Sequence, residues 1–540
     1  MRLFFTACLT AVTLASPLQA ADLPHMAEKN GRHALIVDGA PFLMLGAQAN
    51  NSSNYPAQMP MVWPAIEAIS ANTLEMPVAW EQIEPTEGQF DLAWVDTLLE
   101  QARAHDKRLV LLWFATWKNG SPGYTPEWVK TDEKRFPRVD TRTGDRVNSL
   151  SPISAETQQA DAKAFTALMR HLKAADPQHT VIMVQVENEP GTWGSVRDYS
   201  PAAQKLFAGQ VPAALLKARK LKPGTWSQVF GTDADEVFHA WSVAHFIDGV
   251  AAAGKAELDL PMYVNVALRD PIAPKGADTY ESGGATDNVI DVWKAAAPHI
   301  DVIAPDIYQN DSQHYQKVLS YYDRPDNALF VPETSHSFPT ARYLFSVLGR
   351  GGIGFSPFGV DFTADANDPA QIPADAAQKL ESFALNYRLI APMAREWAKL
   401  AFDGQVWGSS ETEANDKGER APETLDLGRW TGTIHYDKGT HGMSDWTWMK
   451  PRPANPLGPE GGVIIARLGP NEYLLTGRMT RIDFTPKPET GKHMQFVRIE
   501  EGRYVDGKWV LHHVWNGDQM DYGLNFTTVP RVLKVKLATY

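Results

Sequence analysis

Cysteine is almost missing: the 540 residues contain one, Cys8. The rest of the chain therefore has no disulfide and no thiol chemistry. Excess positive charge is missing too. Lys and Arg number 51 against 64 Asp and Glu, which leaves a net charge of -13 with no dense basic run. That argues against nucleic acid and anionic membrane surfaces as partners. Beyond the N-terminus no apolar run reaches the roughly 18 residues that a membrane helix needs. The 15 His are scattered without a His-Glu-x-x-His pattern, so no metal site is predicted. No Gly-x-Ser-x-Gly elbow supports a serine hydrolase. The segment "LGAQANNSSN" after the first apolar run has no glycine-rich phosphate loop, and no cofactor is expected.

What is present is an ordinary globular composition, 44% hydrophobic and 21% charged. The first residues, "MRLFFTACLTAVTLASPLQA", read as a secretory signal peptide over 1–20. Arg2 supplies the basic start, Leu3 to Ala15 the apolar stretch, and Ala20 the small residue before a cut. The protein is expected to be exported, to the periplasm or outside the cell.

From about residue 40 to 400 short apolar runs alternate with amphipathic stretches. The runs are "FLMLGAQAN", "TLEMPVAW", "RLVLLWFATW", "TVIMVQVENE", "MYVNVAL", "DVIAPDIY", "ALFVPET" and "GGIGFSPFG". Strand–helix alternation of this length predicts a parallel sheet, and eight strands predict a closed (β/α)₈ TIM barrel spanning residues 21–402. From 403 to 540 the texture changes to Gly, Pro, Thr and alternating strands, which predicts a C-terminal all-β, sandwich-like domain.

A barrel gathers its chemistry at the C-terminal ends of its strands. The runs end in Gln48 and Asn50, Trp80 and Glu81, Trp117 and Lys118, Glu187-Asn188-Glu189, Asn265, Asp306 to Tyr308, Glu333 and Phe358. Buried polar clusters of this kind need water, partners or a substrate. Glu189 and Glu333 cap the fourth and seventh strands on one face. A retaining glycosidase needs such a pair, one carboxylate to attack the anomeric carbon and one protonated acid to serve the leaving oxygen. Asn188, beside Glu189, is placed to bond a sugar 2-hydroxyl. Trp80, Trp117, Trp193 and Tyr308 follow strands and offer flat apolar faces to a pyranose; Tyr308 is also placed to hydrogen-bond the nucleophile. Glu187, two residues from Gln185, is expected to face the barrel mouth with it.

"QVENEP", "VPET" and "VAWEQIEPTEGQFDL" resemble glycoside hydrolase family 35, the β-galactosidases, over residues 30 to 400; the trailing β domain is similar to one appended in a compact bacterial branch. The resemblance implies Glu189, not Glu187, as acid/base, Glu333 as nucleophile and Asn188 as the sugar contact. It implies a structural role for Glu84, Pro85 and Gly88 in the turn after the second strand. Ala115-Thr116-Trp117-Lys118 departs from the family's Ala-Glu-Trp-Glu, and Trp80-Glu81 from its Trp-Asn. Family 42 is the close neighbour. The expected activity is that of a retaining exo-β-galactosidase on terminal β-galactosyl residues of plant-type oligosaccharides. A galactanase, an arabinosidase or a non-catalytic glycan-binding protein are the alternatives. The β domain, with Trp430, Trp446 and Trp448, is expected to brace the barrel rather than bind glycan.

Overall fold

The eight runs form the eight parallel strands of a closed barrel, in sequential order around the ring. They are β1 (Met44–Gln48), β2 (Thr73–Ala79), β3 (Arg108–Lys118), β4 (Val181–Asn188), β5 (Met262–Ala267), β6 (Val302–Ile307), β7 (Phe330–Thr334) and β8 (Gly354–Pro357). The computed structural model describes residues 22–366, 368–436, 455–520 and 523–540. The expected signal peptide, Cys8, Trp446 and Trp448 lie outside the described residues. Among the described residues no helix is long and apolar enough to cross a membrane.

Each strand is covered on both faces, which is why the runs are continuously apolar rather than alternating. Helices form where the amphipathic stretches predict them. Ala155–Ala175 starts at Ser154, whose side chain accepts from Thr157 N, and buries Phe165, Leu168 and Leu172 along one stripe. Ala234–Lys255 packs against it as the next large helix of the outer layer.

Two features were not anticipated. The first is a three-stranded antiparallel sheet, His25–Lys29, Arg32–Val37 and Ala40–Phe42, ahead of β1. Its turns are Asn30-Gly31 and Asp38-Gly39, with all four residues at φ between 55° and 72°, as two-residue hairpins require. Leu35, Val37 and Phe42 join Val110, Leu112, Ile182, Val302 and Phe330 of the barrel interior in one apolar cluster. Asp38 pairs with Arg108 at the start of β3 at 2.8 Å. The sheet therefore closes the end of the barrel opposite the carboxylates. The second is a small hairpin, Arg138–Asp140 with Arg146–Leu150, in the connection after β3.

The last barrel helix ends at Asp403 and the first strand of the β region starts at Val406. Beyond it an antiparallel six-stranded sheet and an antiparallel four-stranded sheet share one core. That core takes Val463, Ile465, Tyr473 and Leu475 from the first sheet and Trp430, Ile434, Ile482 and Phe484 from the second, the arrangement of a sandwich. Trp430 is fully buried there, with its indole N–H on Asn471 Oδ1 at 3.1 Å, so it serves the core and offers no ligand surface.

The β domain sits on the helix Tyr343–Gly349, between β7 and β8. Contact is made by small residues: a Cβ on Gly349 would lie 2.1 Å from Gly408 N, and one on Gly462 would lie 2.1 Å from the Phe345 ring. Ser410 hydrogen-bonds Ser346 at 2.6 Å and the Arg342 carbonyl at 2.8 Å. The fully buried Arg342 guanidinium donates to Glu411 O at 2.7 Å, Asn310 O at 3.2 Å and Glu413 Oε1 at 2.6 Å. This ties the β domain to the loops that follow β6 and β7.

Candidate active site

Glu189, just past β4, and Glu333, in β7, meet at the open end of the barrel together with Asp306 of β6. One carboxylate oxygen from each lies within 4.8 Å of the others. All three side chains are largely buried. Glu333 accepts a hydrogen bond from Gln48 Nε2 at 3.1 Å and another from the Tyr308 hydroxyl. Gln48 ends β1, so the first strand supports the carboxylate of the seventh across the closed ring.

A web of amides holds the other side. Asn265 of β5 donates to Asp306 Oδ2 at 2.7 Å and accepts from Glu189 N at 2.8 Å. Asn188 Oδ1 accepts from Gln185 at 3.1 Å and from Asn265 at 3.2 Å. Its Nδ2 makes one long bond to Asn119 Oδ1, 3.4 Å. Asn188 is therefore fixed by its oxygen, and a contact with a ligand falls to Nδ2.

The charges do not balance in the open. Lys118, nearly buried at the end of β3, is the cation whose field reaches Glu189, Asp306 and Glu281. Burial, and then the charge of Glu333, pushes Glu189 up to about 7. Burial, Glu333 and Glu189 push Asp306 well above the usual carboxylate range, and it shares a hydrogen bond with Glu189. Asp306 therefore keeps a proton on the site floor while Glu189 is poised near neutrality. These three carboxyls form the one His/Asp/Glu grouping among the described residues with spacing for a cation; Lys118 and the Asp306 proton already offset their charge. Beneath them Glu75 of β2, fully buried, is pushed up to about 8 by burial and is held by Ser356 and Tyr263.

The strand end is bent to achieve this. Glu187 and Glu189 both have left-handed backbones, φ 64° and 43°, which cost non-glycine residues roughly 1 kcal/mol or more each. The turn at Glu187 breaks the alternation of β4 and corrects the expectation that it faces the barrel mouth. Glu187 instead accepts from Trp117 N at 2.7 Å and meets Asp161 on the helix Ala155–Ala175, fully buried. Burial and the Asp161 charge push it well above the carboxylate range, and the proton it carries bonds Asp161.

Trp80 and Trp117 correct a second expectation. Both are fully buried. Trp80 donates to Glu84 Oε2 at 3.0 Å and packs edge-on against Trp128; Trp117 donates to Ser149 Oγ at 3.2 Å and packs edge-on against Phe246. They frame the loops and present no face to a sugar. Trp193 and Tyr308 remain half exposed at the mouth, at 51% and 42%. Glu84 takes the structural part expected of it, accepting from Gly88 N at 2.7 Å. Gln48, Lys118 and Asp306 were expected at the strand ends where the chemistry gathers, but no role was assigned to them. Glu281 carried no strand-end signal, because it lies in the loop after β5.

Residues 66–244 match glycoside hydrolase family 42, described as beta-galactosidase, and residues 383–527 match a domain of unknown function, DUF5597. No curated protein matches the chain. Among solved structures it is similar to a β-galactosidase from Marinomonas ef1, with 15% identity and a TM-score of 0.47 over 66% of this chain and 61% of that one. It is similar to a β-galactosidase from Bacillus circulans sp. alkalophilus, with 14% identity and a TM-score of 0.49 over 68% of this chain and 57% of that one. It is also similar to an exo-β-1,4-mannosidase from an Opitutaceae bacterium, with 14% identity and a TM-score of 0.42 over 70% and 63%. The chain spans about three fifths of the length of the first two. Within the barrel, residues 66–244 are thus similar to a family 42 β-galactosidase domain, and the C-terminal β region carries the DUF5597 match.

Proposed function

We propose that the enzyme is a retaining exo-β-galactosidase that releases terminal β-galactosyl residues from plant-type oligosaccharides. The observation that carries the mechanism is that one carboxyl oxygen of Glu189 and one of Glu333 lie within 4.8 Å of each other. Retaining enzymes hold their carboxyls about 5–5.5 Å apart, whereas inverting enzymes leave about 6.5–9.5 Å for a water.

In the first step Glu333 attacks the anomeric carbon, the bond to the leaving oxygen breaks, and the Glu189 proton passes to that oxygen. In the second, water attacks the same carbon, Glu189 takes its proton, and the ester to Glu333 breaks. Tyr308 and Gln48 orient Glu333 for the attack. Asn188 Nδ2 is the group placed for the sugar 2-hydroxyl. A glycan-binding protein has no use for a poised acid beside a second carboxylate.

Galactose as the sugar is supported by the family 42 match, which ends at residue 244 and so leaves β7 outside it. The family 35 assignment rests on "QVENEP" and "VPET". Export is supported by residues 1–20 alone; N-terminal sequencing of the mature protein, expected to begin after Ala20, tests it. The activity test is proton NMR of the first product from an aryl β-galactoside, run beside the β-glucoside and α-arabinoside. Faster release from the galactoside, with the β-anomer appearing first, is expected. A preference for another glycone removes the galactose assignment, and an α-anomer appearing first removes double displacement.

A further inference from the structure

The general acid must touch the leaving oxygen. The leaving group therefore lies on the side of the mouth that Glu189 and its own loop border, away from Tyr308 and Gln48. Three loops meet there, following β3, β4 and β5. Thr192 and Ser282 exchange backbone hydrogen bonds at 2.8 and 3.1 Å, which locks the second loop to the third. Gly120 brings in the first: its φ is 68°, and a Cβ there would lie 3.2 Å from Gly191 O, 3.4 Å from Trp193 Cδ1 and 3.7 Å from Glu281 Oε1.

Two side chains stand at this junction. Trp193, four residues beyond Glu189, is half exposed, and its indole N–H donates to Glu281 Oε1. Glu281 is only 3% exposed, yet its second oxygen, Oε2, is buried without a hydrogen-bond partner among the described residues. An orphaned buried carboxyl oxygen is costly and calls for a ligand. The indole face beside it suits the apolar face of a pyranose.

We propose that Trp193 and Glu281 form the subsite for a sugar leaving group, the indole stacking on its ring and the Glu281 carboxyl hydrogen-bonding one of its hydroxyls. This rests on the retaining galactosidase reading above. Burial and the nearby charge of Glu189 push Glu281 up to about 8, against the pull of Lys118. Near neutral pH it holds a proton and serves a hydroxyl as donor or acceptor. The same subsite receives the acceptor when a sugar hydroxyl replaces water in the second step.

The test compares a β-galactosyl-glucose disaccharide with β-galactosyl fluoride, whose leaving atom is too small to reach Trp193. It uses the full-length wild type, Glu281→Ala, Glu281→Gln and Trp193→Ala. For both Ala variants, kcat/KM on the disaccharide should fall at least about tenfold further than on the fluoride, mainly through KM, as the loss of one such contact implies. With fluoride as donor and free glucose as acceptor, transfer relative to hydrolysis should fall in step. Glu281→Gln, which keeps an acceptor for Trp193, should recover part of both. Equal losses on the two substrates, or an unaltered transfer ratio, would overturn the subsite. A wild type that releases galactose from neither substrate would overturn the galactosidase reading and the subsite with it.

Discussion

In the proposed role of general acid Glu189 has to carry a proton when substrate binds, and burial followed by the Glu333 charge raises it to about 7. The alkaline limb of kcat/KM should therefore fall near pH 7, since above it the acid is spent. Glu189→Ala should slow oligosaccharides roughly 10²–10⁴-fold while a dinitrophenyl galactoside still gives a burst of phenol, because only the poor leaving group needs the proton. Glu187→Ala giving that burst instead would reassign the acid. Glu187 makes its own prediction. Folded, it holds a proton that the unfolded chain gives up above the ordinary value of 4.5, so its contribution to stability is lost as pH rises from there. Glu187→Gln donates to Asp161 without a proton to lose. Its melting temperature should decline less than wild type from about pH 5 upward, and parallel curves would contradict the shared proton. Glu189 and Glu333 were legible because each ends a buried apolar run in a charge. Trp80 and Trp117 misled for a physical reason: a ring after a strand packs under the loops as readily as over a ligand, and only burial separates the two. The left-handed turn at Glu187 has no signature in a Glu residue.

The barrel strands were readable because a parallel sheet buried on both faces turns into unbroken aliphatic runs. The β domain was readable from alternation and from turns such as Asp506-Gly507, at φ 49° and 70°. The sheet that closes the barrel escaped notice although Asn30-Gly31 and Asp38-Gly39 are strong hairpin signals. Its strands run only 3 to 6 residues, too few to display alternation. The docking of the β domain is equally silent in sequence, because glycines at 349, 408 and 462 make it by being absent as side chains. Arg342 is the element that a substitution exposes. Arg342→Met removes a buried cation and strips partners from Glu411 O, Asn310 O and Glu413 at once. Urea unfolding should show a loss of about 3 kcal/mol or more, the range for breaking a buried, hydrogen-bonded charge. A loss below about 1 kcal/mol would mean that the contact is solvated and the bracing lies elsewhere.

At the scale of the molecule, the N-terminal sheet packs on one end of the barrel, the β sandwich packs on the helix between β7 and β8, and the carboxyls gather at the opposite end. At that end the Glu333 carboxylate is held by its two donors, Gln48 and Tyr308, and burial together with the Glu333 charge raises Glu189 to about 7. Glu333 as nucleophile is tested most directly by treating the protein with 2-deoxy-2-fluoro-β-galactosyl fluoride, which slows the second step more than the first, and mapping the labelled peptide by mass spectrometry. The fluorosugar should be found as an ester on Glu333. An ester on Glu189, or an unlabelled protein that still hydrolyses galactosides, would contradict the roles assigned to the pair.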